Sequence, residues 1–335
     1  MIKFYKKMIF GVAALAVTLG MVGCAQRVQP ISGTNFVLDT VATITIYDSK
    51  DKTLIDDTFS LCREYEDMLS AQKDDSDIGR INSAHGADVE VSEDTIELLT
   101  TAVHYAELTD GAFDVTIYPV SKLWDFRSGD ATVPEEQKIE EALKHVDYHC
   151  IEIDPVQKKV HLTDPEAEID LGGIAKGYIA DRLKEFLAGR GVNSAIINLG
   201  GNVITIGHNP NGKPFRIGVQ KPFGDTNEVL FPVESESSSV VSSGPYERCF
   251  EKDGKLYFHI LDPATGFPSE SELNGVTIVS PDSVDGDALS TSCFVLGPEK
   301  GQNLVRAINE EKGLSGTDNE IKAYFIDKNN KVINR

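Results

Sequence analysis

The sequence predicts a single α+β domain, with mixed sheets packed by helices, and three observations carry that expectation. Runs of β-branched residues and amphipathic helical runs are interspersed without strict alternation. No repeat of 20 to 50 residues is visible, and the composition does not break after Thr34. A chain of 335 residues with an apolar fraction of 41% has the material for a full core.

The first 24 residues stand apart from that domain. Lys3, Lys6 and Lys7 precede an apolar run closed by Gly23-Cys24, the charged, apolar and small-residue order of a secretory signal. The run Met21-Val22-Gly23-Cys24 resembles a lipoprotein signal, in which Cys24 is acylated and becomes the new N-terminus. Residues 1–23 are then signal peptide, 24–34 a lipid-anchored spacer without apolar period, and 35–335 the domain. The mature protein would be held on the extracytoplasmic face of the cell membrane.

Along the domain, residues 36–47 are β-branched and partly alternating, which predicts a strand. Residues 51–69 place Leu54, Ile55, Phe59, Cys62, Tyr65 and Leu69 at helical spacing, and an acidic loop follows. A capping serine, Ser92, opens a second helix to Leu108, and 134–145 is a third, short and acidic. Two short strands at 151–154 and 159–162 precede a run ending at Ile169. A helical pattern runs from near Ile174 to Gly191, and a long apolar strand follows, broken by Gly200-Gly201. Strands are expected at 215–219, 230–232, 256–261 and 274–280. Helical structure begins at Asp287 and resumes at 299–308, and 321–333 returns as a hairpin.

Charge limits the partners. Lys and Arg number 32 against 53 Asp and Glu, a formal charge of −21; loss of the three lysines in the signal takes it to −24. Such a surface repels phosphate backbones, which excludes nucleic acid as a partner. A phosphate-bearing ligand must be held locally, by a cation, a few lysines or a helix terminus. Beyond Cys24 the cysteines are Cys62, Cys150, Cys249 and Cys293; none forms a C-x-x-C pair, so buried, unpaired thiols are expected.

The stretch D-L-G-G-I-A-K-G-Y-I-A-D, from Asp170 to Asp181, lies between a strand-like run and a helix, where backbone N–H groups point outward and Lys176 adds a positive charge. Gly172 and Gly173 let a ligand approach bare backbone, although glycines at a strand-to-helix turn also serve packing alone. Asp287 and Thr291 are four apart; on a helix they present a carboxylate and a hydroxyl on one face, hard oxygen donors that suit Mg²⁺. The same pair is equally readable as a helix N-terminal acid and a back-bonded hydroxyl. His259 closes an apolar strand before an Asp-Pro turn, a place for a hydrogen-bonded interior histidine or for a base. Residues 111–124 mix Phe113 and Trp124 with Asp114, a wall for a planar ring or ordinary packing.

Taken together these stretches are more specific than any one of them. The G-x-I-A-K-G-Y-x-x-D run at 172–181, H-x-x-D-P-x-T-G-x-P at 259–268 and D-A-L-x-T at 287–291 resemble, in that order, the FAD:protein FMN transferase family, known also as the ApbE or thiamine-biosynthesis lipoprotein family. S-S-G-P-Y-E-R at 242–248 and F-D-V-T at 113–116 are further matches, and the likeness covers nearly everything after the spacer. The resemblance implies an ApbE-like fold and a chemistry in which FAD, as substrate, is cleaved with Mg²⁺ and FMN is placed on a threonine of an acceptor flavoprotein as a phosphoester. It implies metal ligation by the Gly173 main-chain oxygen, the Asp287 carboxylate and the Thr291 hydroxyl. It places Leu38, Gln72, Ala112, Phe113, Asp114, Lys176, Ile179 and Asn274 at the FAD pocket. His259, with Asp287, is implied as the catalytic pair, the histidine as base or orienter for the acceptor hydroxyl. Two departures stand out: Leu38-Asp39-Thr40 where many members have Met-Gly-Thr, and Ser70-Ala71-Gln72 where many carry an aromatic after a Ser-Thr pair. The same site would also serve a Mg²⁺-dependent FAD pyrophosphatase giving FMN and AMP, and a flavin-binding lipoprotein without catalysis is the other alternative.

Overall fold

Alternating apolar residues in Thr40–Ile46 and Ser194–Leu199 bury one side of each strand and leave the other half-exposed, the pattern of a sheet covered on one face. Leu273–Ser280 is buried at all but one position, which requires cover on both faces. These strands belong to one sheet in a computed structural model that describes residues 29–124, 126, 132–225 and 228–333. The signal and Cys24 lie outside the described residues.

In chain order the elements are β1 (Ile31–Val37), β2 (Thr40–Ile46), α1 (Thr53–Leu69), α2 (Asp77–Asn82), β3 (Val89–Glu90), α3 (Glu93–Leu108), α4 (Tyr118–Ser121), α5 (Glu136–Leu143), β4 (Ile151–Asp154), β5 (Lys159–Leu162), α6 (Ala175–Gly189), β6 (Ser194–Leu199) and β7 (Asn202–Gly207). They continue with β8 (Phe215–Gln220), β9 (Val229–Ser235), β10 (Ser239–Ser243), β11 (Cys249–Lys252), β12 (Lys255–Phe258), β13 (Leu273–Ser280), α7 (Ser283–Glu311), β14 (Lys322–Asp327) and β15 (Val332–Ile333). The main sheet has the order β1-β2-β6-β7-β10-β13-β14-β15, and each of its pairings is antiparallel. Helices α1, α6 and α7 pack against it in turn, α1 on β1, α6 on β6 and β7, and α7 on β10, β13 and β14. The β8–β9 hairpin packs against β10, and Val219, Val233, Val240 and Ile326 form a small core there. This explains why β13 is buried on both sides.

The α+β expectation holds, with local differences. The strand expected over 36–47 is a hairpin: Leu38 and Asp39 form a two-residue turn with φ of 53° and 54°, between Val37 and Thr40. Positive φ at two non-glycine residues costs roughly 1–2 kcal/mol each, and no Gly or Asn-Gly advertises the turn. β1 begins at Ile31, four residues inside the stretch read as spacer. α7 begins at Ser283 rather than Asp287, so Asp287 lies in its second turn, and Gly297 with a φ of 76° kinks it before Pro298. The four described cysteines are free, as expected, but Cys249 is exposed, because it starts an outlying two-stranded hairpin rather than a core strand. Helix α2 falls in a segment read as loop; Ser76 caps it by accepting from the Gly79 N–H at 2.8 Å.

Asp181, in the middle of α6, ties that helix to the start of α7. Its carboxylate accepts from the Ser283 N–H and the Val284 N–H, each at 2.8 Å, and so caps α7 from a neighbouring helix. Burial raises its pKa to about 7, against the lowering effect of those two N–H groups. The folded chain therefore retains a proton on Asp181 between the ordinary carboxylate value of about 3.9 and about 7, where the unfolded chain has lost it. The stability this group contributes is full below about pH 4 and is lost as pH rises through about 7. Urea midpoints measured across that range are expected to fall less steeply with pH for Asp181→Asn than for the wild type. The variant is also expected to be less stable by about 1 kcal/mol, for one lost capping acceptor.

Candidate functional site

The site is built where the start of α6 meets the second turn of α7. Gly177 is the reason they meet: a Cβ there would stand 2.3 Å from the Ser283 carbonyl oxygen and 2.8 Å from Asp287 Cβ. With only hydrogen in that space, the Gly177 N–H donates to Asp287 Oδ2 at 2.8 Å. The carboxylate thus sits at the N-terminus of α6, in the position read from sequence as an anion seat. Part of the seat is filled by the protein's own Asp287.

That contact frees an acceptor. Gly173 is four residues before Gly177, and with the Gly177 N–H committed to Asp287 the Gly173 carbonyl has no backbone donor among the described residues. The Thr291 hydroxyl also makes no hydrogen bond among the described residues, whereas its neighbours do: Ser290 Oγ donates to the Asp287 carbonyl and Ser292 Oγ to the Ala288 carbonyl. A Cβ on Gly173 would lie 3.7 Å from Thr291 Oγ1 and 3.1 Å from the Phe113 ring. The Gly173 carbonyl, the Thr291 hydroxyl and the second Asp287 oxygen are therefore unsatisfied hard donors brought together by two helices. Among the described residues no three His, Cys, Asp or Glu side chains converge. A cation here would be held by mixed oxygens, a set that suits Mg²⁺ with waters or phosphates completing its shell.

Asp287 is 3% exposed, and burial raises its pKa; Lys176, the Gly177 N–H and Asn202 act in the opposite direction. The Asn202 amide lies beside this carboxylate, yet its Nδ2 has no partner of good hydrogen-bond geometry, while its Oδ1 accepts from Ser283 Oγ at 2.8 Å. Lys176 is half-buried and makes no hydrogen bond or ion pair among the described residues, and its charge bears on Asp287, Glu247 and His259 together.

His259 lies one residue beyond β12, and its N–H donates to the Arg248 carbonyl at 3.1 Å. Burial, then the Lys176 and Arg248 charges, push the imidazole down to about 4. The Arg248 carbonyl raises it slightly, but Nδ1 is buried without a partner of good geometry. The ring is neutral at pH 7.

The other residues implied for the pocket divide. Phe113 packs against Gly173, at the site itself. Asp114 has both oxygens engaged nearby: Oδ1 accepts from the Thr116 N–H and hydroxyl and Oδ2 from the Tyr148 N–H, so it ties down its own loop. Ala112 is on that loop, where its N–H donates to the Thr109 carbonyl at 3.2 Å. Ile179 is 1% exposed and belongs to the core beneath α6. The Asn274 amide donates to the Lys328 carbonyl and Asn330 Oδ1, at the C-terminal hairpin. Leu38 stands at the β1–β2 turn, where the next residue's carbonyl accepts from Arg248 at 3.3 Å, and Gln72 is exposed after α1. Patterning did not point to Asn202, Arg248 or the capping role of Asp181. Asn202 follows the Gly200-Gly201 pair, Arg248 is the last residue of S-S-G-P-Y-E-R, and Asp181 closes the G-x-I-A-K-G-Y-x-x-D run.

Fold and site define a class: an α+β protein in which two mutually capping helices present a lysine, a buried carboxylate and unsatisfied oxygens to an anionic ligand. The profile of the ApbE family matches residues 38–314, and the chain belongs to that family. It is 38% identical over 286 residues to an FAD:protein FMN transferase of Klebsiella pneumoniae, covering 85% of each chain. It is 33% identical over 306 residues to one of Treponema pallidum, covering 86% of this chain and 84% of the other. Among solved structures, an ApbE protein of Thermotoga maritima superposes with a TM-score of 0.81 at 32% identity, over 91% of this chain and 97% of that one. The flavin transferase ApbE of Vibrio cholerae gives 0.75 at 26%, over 91% and 95%.

The Gly177 contact sets an expectation. Gly177→Ala forces α6 away from α7 and is expected to lower stability by about 3 kcal/mol, read from urea unfolding, since packed backbone does not give way cheaply. An alanine variant as stable as the wild type would contradict the close approach.

Proposed function

We propose that this protein is an FAD:protein FMN transferase, which cleaves FAD and attaches FMN through a phosphoester to a threonine of an acceptor flavoprotein, releasing AMP. The observation that carries the reading is the set of three unsatisfied oxygens, on Gly173, Asp287 and Thr291, beside the unpaired Lys176. These are the residues that would hold Mg²⁺, and the cation supplies charge neutralisation for the diphosphate when bound.

The chain's own groups do the rest. Lys176 and the N-terminus of α6 draw the diphosphate into an otherwise acidic protein. Phe113, against Gly173, limits the room on that side of the site. Neutral His259 accepts or orients the acceptor hydroxyl, which is a poor nucleophile without positioning. Leu38, Gln72, Ala112, Asp114, Ile179 and Asn274 contribute to the FAD pocket mainly by shaping its walls, since Asp114 and Asn274 spend their polar atoms on neighbouring loops. The strained turn at Leu38-Asp39 holds the hairpin tip against Arg248.

Residues 1–23 are a signal and Cys24 is lipidated in this reading, so the domain works on the extracytoplasmic face of the membrane. No helix of the described residues is long and apolar enough to cross a membrane; the anchor in this reading is the lipid on Cys24. Cys24→Ser is expected to move the protein from the membrane pellet to the soluble fraction; a pelleted variant would contradict the anchor. Asp287→Ala is expected to lower metal-dependent FMN transfer at least about 10²-fold, read by mass spectrometry of the acceptor, without loss of secondary structure by circular dichroism. Undiminished transfer by that variant would contradict the metal assignment.

A further inference from the structure

Glu247 stands on the turn joining β10 to β11. Its side chain is exposed, and it makes no hydrogen bond or ion pair among the described residues. Yet protein atoms crowd it enough that burial raises its pKa, with Lys176 opposing and Asp287 adding to the rise. One carboxylate oxygen would stand 3.3 Å from a Cβ on Gly201, which sets it against the β6–β7 turn. The next residue, Asn202, opens β7 and lies beside Asp287. On the other side, Arg248 pairs through its carbonyl with the His259 N–H. Glu247 therefore lies between the Asp287 and His259 halves of the site, in the field of the same Lys176.

A carboxylate in that place needs a chemical reason. Facing a diphosphate it adds repulsion, so anion binding does not call for it. It belongs to no cluster of three ligating side chains among the described residues. What an unpaired carboxylate binds well is a hydroxyl, and the one hydroxyl whose proton must leave in the proposed reaction is the nucleophile. His259 is a weak acceptor for that proton, because burial and two cations hold its pKa near 4. Glu247 is shifted the other way.

On the flavin-transfer reading, on which this inference rests, we propose that Glu247 receives the proton of the acceptor threonine hydroxyl while His259 orients that hydroxyl. The threonine oxygen forms a bond to the phosphorus of the FMN half. The bond from that phosphorus to the AMP oxygen breaks, its electron pair leaving with AMP. The threonine proton passes to a Glu247 carboxylate oxygen and then to water.

The test uses the full chain with FAD, Mg²⁺ and a membrane-protein extract, read as fluorescent flavin bands that survive denaturing electrophoresis. Glu247→Gln is expected to slow transfer by about 10²-fold or more, as for loss of a positioned base. FAD binding by flavin fluorescence and the Mg²⁺ concentration for half-maximal rate are expected to stay within about twofold, and Glu247→Asp to recover part of the rate. Transfer by Glu247→Gln at the wild-type rate overturns the assignment. So does a loss that appears only as weaker FAD or Mg²⁺ binding, which makes Glu247 a pocket or metal-site residue. A wild-type protein that labels no band removes the transferase reading itself, whereas a labelling wild type with an unimpaired variant removes only the role of Glu247.

Discussion

The structure depends on a reciprocal cap between two helices. Asp287, from the second turn of α7, takes the Gly177 N–H at the start of α6, and Asp181, from the middle of α6, takes the first N–H groups of α7. Each helix thus closes the other's unsatisfied end. The arrangement requires bare backbone at Gly177, where a Cβ would meet the Ser283 carbonyl. Both helices also rest on the main sheet, so the relative position of Gly173, Lys176, Asp287 and Thr291 is set by packed elements rather than by loops.

Electrostatically the site runs against the rest of the molecule. A protein with a formal charge of −21 places Lys176 and Arg248 near one point, and their charges depress His259. Burial acts on the same groups in the opposite sense for acid and base: it raises Asp287 and Glu247 and lowers His259.

Much of this was legible along the chain. Period-two burial in β2 and β6, and the helical spacing of Leu54, Ile55, Phe59, Cys62 and Leu69 in α1, follow directly from residue order. The motif residues of α6 and α7 fell on helices as expected, and the kink at Gly297-Pro298 separates the two helical runs that the sequence shows. The misses have local causes. Leu38-Asp39 turns without a glycine, Cys249 opens an outlying two-stranded hairpin at an exposed position, and α2 hides in an acidic run whose only signal is the Ser76 cap.

Residue order alone determined which chemical groups exist and on which elements: a lysine and two glycines at a helix start, a carboxylate and a hydroxyl one turn apart, a histidine at a strand end, and a fold that mixes helix with sheet. Only the tertiary structure decided how those groups are used. Asp287 lies 110 residues from Gly177 and Asn274 lies 56 from Asn330, and no periodicity reports contacts across such separations. The close approach of α6 and α7 diverts one N–H to Asp287 and thereby leaves the Gly173 carbonyl open, and the folding of the S-S-G-P-Y-E-R turn brings the Glu247 carboxylate against Gly201. Those are consequences of packing and desolvation, which exist only once distant segments have excluded water from each other.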